Sequence, residues 1–172
     1  MKKLACIVSL SCCLVLSAQE KSRIVPTNQV IVTGAVKQEK IITSSDIIHM
    51  QAHTIGNVMI TNHTGVEKGL AKNLKGVLLK DILKDIAFAE ETPRKLSEFY
   101  LTCIASDGYK VVLSWNELFN NETGNNLFIV TEKEGKPIQD MDESILLISP
   151  RDFTTGRRYI KGLQKIVVGS VN

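Results

Sequence analysis

Two β-rich runs, residues 99–105 and 109–113, are separated by only Ser106-Asp107-Gly108. Ser, Asp and Gly tolerate or stabilise the tight backbone of a reversal, so this stretch predicts a hairpin. Directly after it, Ser114 and Glu117 stand three apart. That is the spacing of a capping box, in which a hydroxyl and a carboxylate satisfy the orphan N–H groups of a helix start. A hairpin feeding straight into a helix requires sheet and helix in one fold.

The rest of the chain extends the same mixture. Residues 29–36, 58–61, 127–131, 144–149 and 163–168 read as strands, with a turn at Glu134-Gly135-Lys136-Pro137 and a stop at Pro150. Thr43 or Ser44 caps a helix running through Met50, with Asp46 favourable in its first turn. His63 to Lys75, rich in lysine, reads as a loop. Val77, Leu78, Ile82, Leu83 and Ile86 recur at helical spacing, which predicts an amphipathic helix ended by residues 90–94. Many strands with about three short helices, in irregular order, give an α+β domain over residues 29–170. Val32, Ile60, Val77, Leu78, Ile82, Leu83, Cys103, Val111, Leu118, Ile129, Leu147, Ile160 and Ile166 are its expected core.

The first 18 residues have another character. Lys2-Lys3, a mostly apolar stretch from Leu4 to Leu16, and the small pair Ser17-Ala18 have the layout of a Sec-type signal peptide. A periplasmic or secreted protein is expected, with residues 19–28 as an N-terminal extension. The stretch is too short for a membrane span, which needs roughly 20 apolar residues. Cys12 and Cys13 lie inside it and do not form a lipobox. Lys2 and Lys3 account for two of the 21 basic residues, so the chain from Gln19 carries 19 against 18 acidic ones. That balance gives no electrostatic reason to bind nucleic acid. Cys6, Cys12 and Cys13 leave with the signal, so Cys103 is the only cysteine of the remaining chain. It sits in an apolar run and reads as a small buried hydrophobe, with a reactive or metal-binding thiol as the alternative.

Chemistry-bearing patterns are sparse. His49 and His53, four apart on the predicted helix, could share a face, but His63 is the only other histidine and no HExxH pattern joins them. No metal site is expected. There is no phosphate loop, G-x-S-x-G elbow or CxxC pair. Asn62 and Asn121 head N-x-T triplets. Tyr109 and Trp115 flank the hairpin and helix and are expected to pack. Arg151, Arg157, Arg158, Lys161 and Lys165 cluster around the loop Asp152-Phe153-Thr154-Thr155-Gly156. Such a loop can meet an anion with backbone amides and guanidinium forks, or it can be a solvated basic face.

Several pieces are informative when taken in order. They are Val32-Thr33-Gly34-Ala35-Val36, Lys75-Gly76-Val77-Leu78-Leu79-Lys80-Asp81-Ile82-Leu83, and Asp107-Gly108-Tyr109 with Ser114 and Glu117-Leu118. Glu134-Gly135-Lys136-Pro137-Ile138 follows, then Ser149-Pro150-Arg151-Asp152 and Arg158-Tyr159-Ile160-Lys161-Gly162-Leu163. In this order they resemble the molybdopterin-binding domain of the sulfite oxidase family in a short exported form. The resemblance implies an α+β sulfite-oxidase-type fold of mixed sheets around a pterin pocket. In complete members a Cys thiolate binds molybdenum after the strand that precedes the "GV-x-L" helix. The matching stretch, Val58-Met59-Ile60-Thr61-Asn62-His63-Thr64-Gly65, holds no Cys. The family's active-site Tyr falls near Thr131, and its "K-W-L" Trp is replaced by Gly162.

A soft metal–sulfur bond has no substitute in Thr or Asn. The resemblance therefore implies a degenerate, non-catalytic member that binds a small anion or a protein partner. Arg158 and Lys161, with Arg157 and Arg151, are the anion-binding candidates. The signal lacks an Arg pair, and molybdopterin enzymes of this sort usually cross folded through a twin-arginine signal. The alternative implied by the family is a molybdopterin-dependent oxidoreductase or its subunit.

Overall fold

The computed structural model describes residues 23–90 and 92–171. The expected signal peptide, its three cysteines and residues 19–22 of the extension lie outside the described residues. The described residues build two sheets. β1 (Gln29–Gly34), β2 (Lys40–Thr43), β5 (Phe99–Ala105), β6 (Lys110–Ser114) and β11 (Leu163–Ser170) form the first, in the order β2-β1-β11-β5-β6. Only its β1–β11 pair is parallel. β3 (His53–Thr61), β4 (Glu67–Leu78), β7 (Phe128–Lys133), β9 (Leu146–Ile148) and β10 (Ile160–Lys161) form the second, ordered β10-β9-β7-β4-β3. The short β8 (Lys136–Pro137) adds to β7, and every pair in this sheet is antiparallel.

Helices are single turns. α1 (Ser44–Ile48), α2 (Leu79–Leu83), α3 (Pro93–Leu96) and α4 (Trp115–Phe119) are joined by 3-10 turns at Glu122–Asn126, Ile138–Asp140 and Thr155–Arg158. The fold class is mixed α+β, as expected. No helix among the described residues is long and apolar enough to cross a membrane.

In β5, alternate residues are buried, the pattern of a strand with one face on the core. Across the first sheet, Val32, Ile166, Cys103 and Val111 are paired in register and all buried. In the second sheet, residues 128–130 of β7 and all of β9 are buried, so both faces of its centre are covered. Of the expected core, Ile60 and Leu78 are only partly buried and the others are buried. β1 stops at Gly34, short of the expected Val36. Gly34 has φ +94°, and a side chain there would overlap the Val168 carbonyl.

Both expected caps form. Ser114 Oγ accepts from the Glu117 N–H at 3.1 Å, and the Ser114 N–H donates to Glu117 Oε2 at 2.8 Å. Thr43 and Asp46 make the same reciprocal pair at α1.

Four expectations are overturned. The lysine-rich stretch taken as a loop is most of β4, a 12-residue strand. Its alternation is broken where Asn73 takes φ +51° and its N–H bonds Asn57 Oδ1, and three register shifts interrupt its pairing with β3. Val77 and Leu78 end this strand, opposite Ile129 and Phe128, so the helix shrinks to α2. Tertiary pairing has overridden a helical spacing that a strand followed by one turn also satisfies. α1 ends at Ile48, with His49 as its C-cap and His53 opening β3, so the two imidazoles share no helix face. The helix does not run to the stretch expected to end it, since α2 stops at Leu83, and Pro93 instead opens α3 at a position where its missing N–H costs nothing.

Candidate functional site

The loop from Ser149 to Arg158 is organised by one carboxylate. Asp152 accepts from Ser149 Oγ at 2.7 Å and from Arg158 Nε and Nη2 at 2.6 and 2.8 Å. Glu117 Oε1 lies 3.6 Å from Arg158 Nη1. The fork is therefore bidentate and its charge is cancelled inside the protein, and the bond to Asp152 raises the Arg158 pKa further. Arg157 points elsewhere, donating through Nη2 to the His63 carbonyl at 2.9 Å. Tyr109, about 43% exposed, donates its hydroxyl to the Arg157 carbonyl at 2.7 Å. Trp115 packs on Phe119, with ring centroids 5.4 Å apart.

The structure divides the basic cluster. Arg157 and Arg158 line a cleft of about 580 Å³ with His63, Lys110, Val112 and Glu117. Arg151 stands exposed at the start of the loop, and Lys165 is exposed on β11. Lys161 lines a different cleft of about 350 Å³, with Lys68, Lys133, Glu134, Glu143 and Tyr159.

That smaller cleft holds residues the sequence did not single out. Glu143 is only 8% exposed, accepts from Lys133 Nζ at 2.7 Å and lies 3.5 Å from Lys161 Nζ. Lys161 Nζ also stands 5.5 Å from the centre of the Tyr159 ring, within cation–π range. Burial pushes the Glu143 pKa up, but the Lys133 hydrogen bond and the two ammonium charges bring it below the usual carboxylate value. Burial lowers Lys133, but its bond to Glu143 together with the charges of Tyr159, Glu143 and Glu134 raises it above the usual lysine value. Burial raises Tyr159, partly offset by the Lys133 charge.

A depressed carboxyl pKa contributes stability that is full above the unfolded value and lost as pH falls through the folded one. The wild-type protein should therefore outlast Glu143→Gln in urea at pH 7. That gap should close as pH falls below about 4.5, the value from which Glu143 is lowered. Paired urea titrations from pH 7 to 3 check this, and a gap independent of pH would contradict it.

The stretch matching the family's metal ligand, Val58 to Gly65, comprises the end of β3 and the turn after it. It meets the Thr155–Arg158 turn directly. The Thr61 N–H donates to Thr155 Oγ1 at 2.9 Å, and that hydroxyl donates to the Met59 carbonyl at 2.8 Å. Thr61 Oγ1 is buried without a hydrogen-bond partner among the described residues. The donors gathered here are hydroxyls, an amide and an imidazole. Asn62 Oδ1 is occupied by the N–H groups of Thr64 and Val66, and Asn121 caps the Glu122–Asn126 turn, so both N-x-T triplets have local structural work. Cys103 lies in the middle of the first sheet, its thiol pushed up to about 12 by burial. This donor set does not fit a thiolate-held metal of the kind the resemblance implies. Among the described residues no three His, Cys, Asp or Glu side chains are grouped to hold a metal ion.

No family model matches the chain, and no curated protein matches it. Among solved structures it is similar to the sulfane dehydrogenase SoxCD from Paracoccus pantotrophus, with a TM-score of 0.57 over 83% of this chain. The likeness is one of fold. Identity is 13%, and the chain spans 39% of the SoxCD chain. This supports a distant fold relationship and leaves the chemistry of the two clefts to their own residues.

Proposed function

We propose that the protein is an exported, non-catalytic domain of sulfite-oxidase-like fold that binds a small oxyanion in the Lys133–Lys161 cleft. One observation carries the reading: Lys133 and Lys161 share the carboxylate of Glu143, and with Lys68 the cleft sets three ammonium groups against the two carboxylates of Glu143 and Glu134, an excess of one positive charge. Tyr159 lines the same cavity and adds a phenol. Arg158, by contrast, already holds Asp152 in the geometry an anion would need. Export is supported by Lys2-Lys3 and the apolar stretch behind it. The absence of catalysis is supported by the hydroxyl and amide donors where the resembling family has its thiolate.

Isothermal titration with sulfite, sulfate and phosphate tests the site. Lys161→Ala should weaken binding by about tenfold to a hundredfold, the worth of roughly 1.5–3 kcal/mol for a hydrogen bond to a charged group. Arg158→Ala should leave the affinity near wild type in protein that remains folded. Wild-type protein indifferent to all three anions would remove the proposal. Stoichiometric molybdenum in protein purified from its native host would overturn the non-catalytic part.

A further inference from the structure

Among the described residues, β6 is the outer strand of the first sheet and pairs only with β5. The Tyr109 carbonyl accepts from the Ala105 N–H at 2.9 Å. Antiparallel alternation then turns the backbone groups of Val111 and Leu113 toward β5, and those of Lys110 and Val112 outward. Ser114, next in the outward set, has its N–H taken by Glu117, as this alternation requires. β3, an edge of the other sheet, is blunted by register shifts and by the bond from the Thr61 N–H to Thr155. β6 has neither bulge nor proline. Val112 is 59% exposed at its middle.

The 580 Å³ cleft is lined by Lys110, Val111 and Val112 of this strand together with Arg157, Arg158 and His63. Its electrostatics are one-sided. Arg158 is cancelled by Asp152 and Glu117, whereas among the described residues no carboxylate pairs with Lys110 or Arg157. A lysine on an edge strand guards against indiscriminate strand pairing and repels basic segments, but it attracts acidic ones. A slot with open main-chain groups on one wall, an exposed valine and two uncancelled cations has the chemistry of strand addition.

We infer that β6 accepts an extended acidic segment of a partner protein as a sixth strand of the first sheet. Main-chain bonds form to Lys110 and Val112, an apolar side chain lies beside Val112, and carboxylates face Lys110 and Arg157. This goes beyond the anion site, which lies in the other cleft and shares no lining residue with this one.

Fluorescence anisotropy of the protein with a labelled Glu-Val-Glu-Val-Glu-Val-Glu peptide, against its Lys-Val counterpart, tests the assignment. The acidic peptide should bind and the basic one should not. Val112→Pro removes an outward N–H that the β5 ladder does not use, a position where edge strands admit proline, and should weaken binding at least tenfold. Val112→Lys gives a second test that leaves every backbone group in place and should act likewise. Lys110→Glu combined with Arg157→Glu should invert the preference, and Lys161→Ala should leave peptide binding unchanged. No binding of the acidic peptide, equal binding of both peptides, or indifference to Val112→Lys would overturn the proposal. So would loss of peptide binding in Lys161→Ala, which would assign the carboxylates to the anion cleft. Sedimentation showing a wild-type dimer that Val112→Lys dissolves would also overturn it, by making a second copy the occupant.

Discussion

Replacing Gly156 by alanine should cost about 3 kcal/mol, the upper range for forcing atoms into a closed contact. A Cβ at this position would overlap the Thr61 carbonyl oxygen and crowd Asn62 Cα, both backbone atoms that no rotamer change can move aside. The Thr155–Arg158 turn would be forced off β3. Thr155 would lose its two bonds to that strand, to the Thr61 N–H and the Met59 carbonyl. For a domain of this size the thermal midpoint should drop by about 6–12 °C. Gly135→Ala is the control. Gly135 has φ +80° and nothing within 4 Å of an added Cβ, so only the left-handed backbone penalty of about 1 kcal/mol applies. Urea melts of the two variants separate these cases. Equal losses would mean that the close approach of turn and strand contributes nothing.

The elements legible from sequence were those whose signals are local. Ser106-Asp107-Gly108 and the Ser114–Glu117 box placed β5, β6 and α4 within a residue or two, because turn and cap chemistry act over three or four positions. β4 was not legible. Its bulge at Asn73 shifts which residues face inward, so Ala71, Leu74 and Val77 are buried at intervals of three, a helical spacing on a strand. The pairing that makes it a strand comes from β3 and from β7, which lies some 50 residues further on.

The site shows the same division. Asp152 stands six residues from Arg158 in one loop, so an internal pair was available to a reading that weighed the acid as well as the base. Counting only cations made Arg158 look available. Lys133 and Glu143 carried no such signal. They come from β7 and from the segment before β9, and their meeting with Lys161 depends on three strands being side by side. The juxtaposition of Thr61 with Thr155, 94 positions apart, is likewise a product of packing.

Ile166→Ala should be the most damaging truncation in the first sheet, costing 2–5 kcal/mol by lost burial and an incompletely filled cavity. Ile166 is 1% exposed and sits in β11 between Val32 and Cys103, so strands on both sides lose a contact. Val112→Ala, on the exposed outer strand, should cost under about 0.5 kcal/mol. Cys103 makes the difference measurable without heating. In the chain from Gln19 onward it is the only thiol, and burial holds it protonated with a pKa of about 12. A thiol reagent therefore reaches it only when the sheet opens. If Ile166→Ala costs about 3 kcal/mol, the open population and the labelling rate at neutral pH should rise on the order of 100-fold. Val112→Ala should label at close to the wild-type rate. Rapid labelling of the wild-type protein would show instead that the row Val32–Ile166–Cys103–Val111 is not closed in solution, and with it would go the reading of Cys103 as a buried hydrophobe.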